Sequence, residues 1–208
     1  MQADVAREQL RARILDGVYA PGQRLTEIET AGALAMSRTP VREAFRALAA
    51  DGLVTPAGRG VQVTTLGPAE LRDAYQVRAA LEALTAELAA ARQAAGEIAP
   101  AALAALVRDA ELAEQATEAG ELWQAALRNR AFHRRIAGLA ANPAALAILD
   151  RLWDQILVST RQSLTTPGRG AAAGAEHRDL LDAIRAGQPE AAARAARDHV
   201  LAHPGLGG

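Results

Sequence analysis

The chain changes character at Gly67-Pro68, and this change constrains its fold more than any other feature. Before it, amphipathic segments at 5–16, 27–34 and 37–50 precede two β-rich runs, 53–55 and 61–64, which flank turn residues at 56–60. After it, strand signals are absent, and a helical pattern interrupted by Gly and Pro continues to about residue 203. The sequence therefore predicts a small mixed domain followed by an all-helical one.

Three short helices followed by a hairpin is the element order of a winged helix-turn-helix. The remainder predicts an all-α bundle of about six helices at 68–93, 100–118, 121–139, 143–163, 174–186 and 189–203. We therefore predict a mostly α protein with a winged helix-turn-helix domain at 1–66, a linker at 67–69 and a helical domain at 70–204. The Gly- and Thr-containing stretch 163–176 is expected to be the loosest connection.

Composition excludes several classes of protein. Aromatic residues make up only 3% of the 208 residues, so the core is expected to consist of Ala, Leu, Val and Ile. Cysteine is absent, which excludes disulfides, thiolate metal sites and thiol nucleophiles. No apolar run approaches the roughly 18–20 residues of a membrane span, and the amino terminus lacks a signal-peptide pattern. We therefore expect a cytoplasmic protein.

The charge of the whole chain says little about DNA binding, although its basic residues are unusual in kind. The net charge is −1, which argues weakly against a nucleic-acid partner. All 23 basic residues are arginine, whose planar group donates two parallel hydrogen bonds to phosphate or to guanine. A GC-rich coding bias accounts for the arginines equally well, so their distribution matters more than their number.

The third predicted helix has one cationic face and one apolar face. Arg38, Arg42 and Arg46 recur at every fourth position and share a face. The opposite face carries Val41, Phe45 and Leu48. A recognition helix needs this arrangement, because its apolar side fixes the angle at which the other side enters the major groove. The pattern alone fits an ordinary amphipathic surface helix equally well. Glu43 is predicted to pair with Arg46 or to orient the arginines.

The surrounding motifs resemble the DNA-binding domain of the GntR family of bacterial regulators. They are PGQRLTE at 21–27, MSRTPVREAF at 36–45, LV at 53–54 and GRGV at 58–61. The resemblance implies DNA contacts from Ser37, Arg38, Thr39, Arg42, Arg46, Arg59 and Gly60. It places the arginines of the helix at base edges or phosphates, the hydroxyls at the DNA backbone, and the glycine where the wing nears the minor groove. Thr30 replaces the usual leucine, and Ala35 stands where glycine is common, which implies mild backbone strain.

All four histidines fall in the helical half of the chain. Asn129 and His133 are four residues apart and share a helix face, whereas His177 and His199 lie on two later helices. Neutral imidazoles from facing helices are a common way to hold a divalent transition metal in a bundle. A single histidine is more often structural, but three on three helices favour a site. His203 is expected to be an exposed terminal residue.

The helical half resembles the FCD domain of the FadR subgroup. The motifs are RAALE at 78–82, FH at 132–133, ANP at 141–143, EH at 176–177 and DHV at 198–200. Metal-binding members hold an ion with an aspartate and three histidines, and an organic acid completes the shell. The resemblance therefore implies the ligands Asn129, His133, His177 and His199 for zinc, nickel or manganese. It also implies that Arg78 pairs with the carboxylate of a small organic acid effector.

Asn129 occupies the position of the usual aspartate. An amide oxygen leaves the metal's charge uncompensated, so we hypothesise a weaker resting site that favours anionic ligands. The alternative is that the metal has been lost and the histidines only line a pocket. Both interpretations remain open on the sequence.

An enzyme and a plain helical interaction module are the two alternatives to a regulator. A metallohydrolase needs a general base beside the metal-bound water. Glu176 is next to His177 in sequence and is therefore expected to point elsewhere on the helix. No zinc-protease, nucleophile-elbow or phosphate-loop motif is present. A plain helical interaction module leaves the arginine face unexplained. We therefore predict a non-enzymatic, homodimeric regulator that binds a palindromic operator in double-stranded DNA. The family resemblance implies that this regulator is a repressor.

Overall fold

The computed structural model describes residues 2–161 and 170–202, which form two compact units. The first unit comprises the described residues up to Gly67 together with Asp154–Arg161. The second comprises Pro68–Trp153 together with residues 170–202. Within these described ranges, no helix is both long enough and apolar enough to cross a membrane.

The first unit contains the predicted three helices and hairpin. Its elements are α1 (Gln2–Leu15), β1 (Arg24–Thr26), α2 (Glu27–Leu34), α3 (Arg38–Ala50), β2 (Val54–Pro56) and β3 (Gly60–Val63). The sequence did not predict β1, because three residues with a single buried side chain show no alternation. The winged helix-turn-helix prediction is confirmed, with one strand added.

The added strand places β3 in the centre of a three-stranded antiparallel sheet, in the order β1-β3-β2. Thr26 of β1 lies opposite Gly60 of β3. A Cβ atom at Gly60 would lie 2.1 Å from the backbone oxygen of Leu25, well inside van der Waals contact. The pairing of the two strands therefore requires glycine at this position, independently of any DNA contact.

The core of the first unit fixes the orientation of α3. Leu10 and Ile14 of α1 are buried, as are Val41, Phe45 and Leu48 of α3, and the two helices pack together. A fully buried side chain of this size contributes about 1.5–3 kcal/mol through removal of apolar surface from water. Because one side of α3 is held in this core, its arginine side faces outward.

The turn between α2 and α3 contains a strained residue. Ala35 ends α2 with φ 51° and ψ 42°, in the left-handed region. An L-residue other than glycine adopts this conformation at a cost of roughly 1–2 kcal/mol. The strain expected where glycine is usual is therefore present.

The bundle contains the predicted set of helices. They are α4 (Pro68–Ala94), α5 (Pro100–Glu118), α6 (Leu122–Leu139), α7 (Pro143–Thr160), α8 (Gly170–Arg185) and α9 (Pro189–Leu201). The expectation of a loose connection over 163–176 is wrong for 170–176, which are helical; residues 162–169 lie outside the described residues. Four alanines among those seven residues favour the helix more than the two glycines oppose it.

An apolar cluster of small and large side chains holds the bundle together. Alanines 86, 89 and 90 of α4 are fully buried against Phe132 and Ile136 of α6 and Leu180 and Ile184 of α8. Alanine lets helix backbones approach closely while the larger residues fill the remaining space. The inward faces of α6, α8 and α9 thus come together, and these helices carry the three predicted histidine ligands.

The last part of α7 belongs to the first unit. The guanidinium of Arg11 donates from Nε and Nη2 to the two carboxylate oxygens of Asp154, at 2.6 and 2.8 Å. Nη1 of Arg161 donates to the backbone oxygen of Leu15 at 2.6 Å, the end of α1. These bonds stabilise α1, the helix on which α3 packs.

Candidate DNA interface and candidate metal centre

The cationic face predicted for α3 is present. Arg38, Arg42 and Arg46 are all exposed, and their side chains retain 58%, 49% and 70% of their accessible surface. The apolar residues of the same helix are buried on the other side. The helix therefore presents three guanidinium groups from a fixed support, as a recognition helix does.

Two of these arginines share one carboxylate partner that the sequence analysis did not identify. Nε and Nη2 of Arg42 donate to the two carboxylate oxygens of Glu27, at 2.7 and 2.9 Å. Nη2 of Arg38 donates to the same carboxylate at 2.9 Å. Hydrogen bonds from Arg42 and then Arg38 lower the pKa of Glu27 to about 2, so the carboxylate is ionised. Glu27 is 11 positions from Arg38 and 15 positions from Arg42 in sequence, so local spacing gives no signal of these contacts.

Arg46 and the two hydroxyl residues at the start of α3 complete the predicted set of DNA contacts on this helix. Nη1 of Arg46 donates to Oε1 of Glu43 at 2.8 Å, which confirms the predicted pairing. Ser37 is the N-cap residue of α3, but its side chain makes no capping hydrogen bond. Ser37 and Thr39 are both exposed. Their predicted contacts with the DNA backbone remain predictions.

The wing brings a further arginine to the predicted interface. Arg59 is exposed in the turn between β2 and β3. Gly58 in the same turn has φ 60°, and a Cβ atom there would lie 2.6 Å from Nη2 of Arg24. Arg24 thus reaches the tip of the wing from β1. Sequence reasoning missed it because β1, the strand that places it there, was not predicted.

Three predicted metal ligands converge in the second unit. His133, His177 and His199 are all buried, and one ring nitrogen of each lies within 4.8 Å of the others. Nε2 of His177 and Nε2 of His199 are 3.3 Å apart. Nitrogen ligands of a tetrahedral zinc ion lie at a similar spacing, roughly 3.3 Å, since each Zn–N bond is about 2.0–2.1 Å. The ring nitrogens of His177 and His199 therefore have the spacing of two ligands of one metal ion, and a nitrogen of His133 lies close to both.

Carboxylates lie beside the outer ring nitrogens of two histidines. Nδ1 of His133 lies 2.8 Å from Oε2 of Glu82, and Nδ1 of His199 lies 2.8 Å from Oε2 of Glu176. A carboxylate only accepts, so Nδ1 of His199 carries the hydrogen of its bond to Glu176, and its Nε2 keeps a lone pair for a metal. The contact of His133 with Glu82 is at ion-pair distance but is not aligned as a hydrogen bond. Glu176 was expected to point elsewhere on the helix, but its carboxylate contacts the ring of His199, one of the three converging histidines.

The buried nitrogen of His133 gives a direct test of whether this site suits a metal. Among the described residues, its Nε2 has no hydrogen-bond partner. A buried ring nitrogen without a partner loses its hydration without compensation. A divalent ion shared with His177 and His199 would satisfy it. The donor set, three imidazole nitrogens, suits zinc and nickel.

Burial keeps two of the imidazoles neutral. Burial, followed by the nearby cationic groups, lowers the pKa of His177 from 6.5 to about 3. The same causes lower the pKa of His199 further. Both rings are therefore neutral at pH 7, which is the form that ligates a metal.

Arg78 lies beside the histidines, but it already has a partner. Its Nε donates to Oε1 of Glu82 at 2.7 Å, and Nε1 of Trp153 donates to the same oxygen at 2.7 Å. Burial alone would raise the pKa of Glu82, but Arg78 and then His133 hold it well below its usual range. Glu82 therefore connects Arg78, His133 and Trp153. The sequence signal for it was its place in the RAALE motif, four residues after Arg78.

The contacts of the described residues do not fix a role for Asn129, the fourth predicted metal ligand. Asn129 lies one turn before His133 on α6 and is half-buried; its role as the fourth ligand stays a prediction. His203 lies outside the described residues.

A cleft of about 310 Å³ between α5 and α8 reaches His177. Arg178 and Glu114, which are hydrogen-bonded to each other, line this cleft.

Comparison with known proteins identifies both units. Residues 2–63 match the bacterial regulatory proteins of the gntR family, and residues 73–202 match the FCD domain. A winged helix-turn-helix joined to an FCD domain defines a bacterial transcription regulator. The chain belongs to the gntR family of bacterial regulatory proteins, as its motifs indicated, and it is not an enzyme.

Curated relatives support the same assignment over nearly the whole chain. The uncharacterized HTH-type transcriptional regulator YdhC of Bacillus subtilis (strain 168) is 30% identical over 197 residues, covering 94% of this chain and 84% of the relative. The probable D-xylose utilization operon transcriptional repressor of Paenarthrobacter nicotinovorans is 31% identical over 209 residues, covering 97% and 86%.

Solved structures show the same fold. E. coli McbR/YncC superposes with a TM-score of 0.82 at 24% identity, over 96% of this chain and 93% of that chain. A putative transcriptional regulator GntR from Rhodococcus sp. RHA1 superposes with a TM-score of 0.75 at 24% identity, over 95% and 93%.

Proposed function

We propose that the protein is a repressor whose operator binding is modulated by a small carboxylate metabolite bound at a divalent metal in the FCD domain. One observation carries this proposal. Three buried imidazoles converge, and carboxylates lie beside the outer ring nitrogens of two of them. Such outer carboxylates are typical of histidine metal ligands.

In this proposal, a homodimer binds a palindromic operator in double-stranded DNA. Two-fold symmetry supplies the two recognition helices that a palindrome needs. Base and phosphate contacts come from Arg38, Arg42 and Arg46, with Ser37 and Thr39 at the DNA backbone and Arg59 beside Gly60 at the wing. Repression is the direction supported by a relative that is named a probable transcriptional repressor.

His133, His177 and His199 would hold the metal, with Asn129 as the fourth ligand. The metal supplies positive charge that attracts an anion. The guanidinium of Arg78 is already offset by Glu82, so the net attraction for a carboxylate comes mainly from the ion. We propose the FadR subgroup for this arrangement and zinc, nickel or manganese for the ion. The cleft that reaches His177 is the proposed route for the metabolite.

Arg42→Ala is expected to weaken operator binding by about 1–3 kcal/mol, because a bidentate arginine contact with a base has about this value. Binding of the purified protein to the promoter next to its own gene, measured by mobility shift, tests the effect. Arg72→Ala, which removes an exposed arginine of the other unit, is the control. An equal loss on random DNA would make Arg42 a phosphate contact, and no specific shift for the wild type at moderate salt would refute the operator proposal.

Protein purified without a histidine tag is expected to contain about one divalent ion per chain, and His133→Ala is expected to lose it. His133 supplies the inward nitrogen that has no other partner among the described residues. Elemental analysis measures the ion, and a thermal-shift series with small organic acids, with and without zinc, nickel or manganese, measures the response. A metal-free wild type that responds normally to a carboxylate would instead support the lost-metal alternative.

A further inference from the structure

Glu27 has a position in the first unit that the proposed DNA contacts do not explain. It is the first residue of α2, and its carboxylate accepts hydrogen bonds from both Arg38 and Arg42. The carboxylate is only 18% exposed, whereas the two arginines extend further into solvent. An acidic side chain thus lies directly behind the two guanidinium groups expected to contact DNA.

The geometry of these bonds leaves one particular edge of Arg42 free. A guanidinium has five N–H donors in a planar fork. Nε and one hydrogen of Nη2 are directed at Glu27. The outer edge, formed by Nη1 and the second hydrogen of Nη2, therefore remains available. Two parallel donors on this edge match O6 and N7 of guanine in the major groove. A fixed plane also loses less rotamer entropy when that contact forms.

The charge of Glu27 has a second consequence. Two arginines attract phosphates of any DNA sequence, and this attraction supplies most non-specific binding. An ionised carboxylate bonded to both reduces the local charge from about +2 to about +1, and so weakens non-specific binding. A base contact made by an oriented guanidinium retains its hydrogen bonds. The carboxylate of Glu27 therefore favours binding to the specific sequence and lowers the affinity for DNA of other sequences.

We propose that Glu27 is a specificity-determining positioning residue of the DNA interface: it orients Arg38 and Arg42 towards base edges and lowers affinity for DNA of unrelated sequence. The inference rests on the proposed recognition role of α3. In this inference, α2 helps the protein to discriminate between DNA sequences, although Glu27 itself need not contact DNA.

The test compares Glu27→Gln with two matched substitutions in the full chain. Glu29→Gln changes an exposed carboxylate in the same turn of α2, which accepts from Thr26 Oγ1 at 2.7 Å. Glu8→Gln changes an exposed carboxylate of α1 that lies outside the proposed DNA contacts. Each variant removes one negative charge from the same unit, but only Glu27 holds the two arginines. Affinity is measured for a duplex selected from a random pool by the wild type and for a scrambled duplex of equal length, over a range of salt concentrations.

Glu27→Gln is expected to bind the scrambled duplex more tightly and to lower the ratio of specific to scrambled affinity by about tenfold or more, while the control variants change that ratio less than about threefold. Glu27→Asp keeps the charge but shortens the reach, and is expected to lower the ratio without tighter scrambled binding. Replacing guanines of the selected duplex one at a time should affect Glu27→Gln less than wild type. Thermal unfolding curves that match that of the wild type would show that the variants are folded.

Four outcomes are decisive. An unchanged ratio in Glu27→Gln, or an equal fall in all three glutamine variants, would overturn the inference while leaving the DNA-binding proposal intact. A wild type that selects no sequence from the pool would instead refute the DNA-binding proposal itself. A lower ratio in both Glu27→Gln and Glu27→Asp, with tighter binding to the scrambled duplex in Glu27→Gln alone, would support orientation and charge as separate effects.

Discussion

Glu82→Gln is expected to lower the free energy of unfolding by about 3–5 kcal/mol, because it leaves the buried guanidinium of Arg78 without an opposite charge. Both side chains are almost fully buried, at 7% and 3% exposure. Glutamine keeps the volume of glutamate and can still accept from Nε1 of Trp153. The loss therefore reports the missing charge rather than a cavity. Urea unfolding of the metal-free protein, followed by circular dichroism, measures it.

A matched exposed pair gives the control for this prediction. Glu43→Gln breaks the ion pair with Arg46, whose side chains are 49% and 70% exposed, and is expected to change stability by at most about 1 kcal/mol. The double variant Arg78→Met/Glu82→Gln removes both buried charges and is expected to recover part of the loss. Equal effects of the two single glutamine variants would show that burial of the Arg78–Glu82 pair does not matter.

The metal-free protein is expected to lose stability as the pH falls from 6.5 to 5. The folded-state pKa of His177 is lowered to about 3 and that of His199 is lowered in the same direction, mainly by burial. Well above pH 6.5 both rings are neutral in the folded and unfolded states, so they cause no pH dependence. Below it, the unfolded chain binds protons that the folded chain does not. Each histidine then contributes a slope of up to about 1.4 kcal/mol per pH unit.

The pH range separates the histidines from Glu82. Since the pKa of Glu82 is lowered in the fold, its contribution is present above its ordinary value of 4.5 and is lost below it. Urea unfolding between pH 6.5 and 5, with a chelator present, therefore isolates the imidazoles. His177→Gln removes one of them and is expected to reduce the slope by about half. A stability that stays flat over this range in the wild type would contradict neutral burial of the rings.

Local periodicity predicted most of the fold. The bounds of α2 and α3 agree with the sequence analysis, because each is an amphipathic segment bounded by turn residues. The same periodicity separated the arginine face of α3 from its buried face. Where local signals conflicted, prediction failed: the glycines at 170 and 174 suggested a loose segment, whereas the alanines between and around them form the start of α8.

The sequence by itself determined the class of protein, the cationic helix and the three histidines, because each depends on residue type and on spacing within one segment or on a long motif. Only the tertiary structure decided which carboxylates act on them. Glu27 reaches Arg42 across 15 residues, Glu176 reaches His199 across 23, and Glu82 and Trp153 meet across 71. A hydrogen bond forms only within about 3 Å, and such distances between separate helices follow from the packing of their apolar faces.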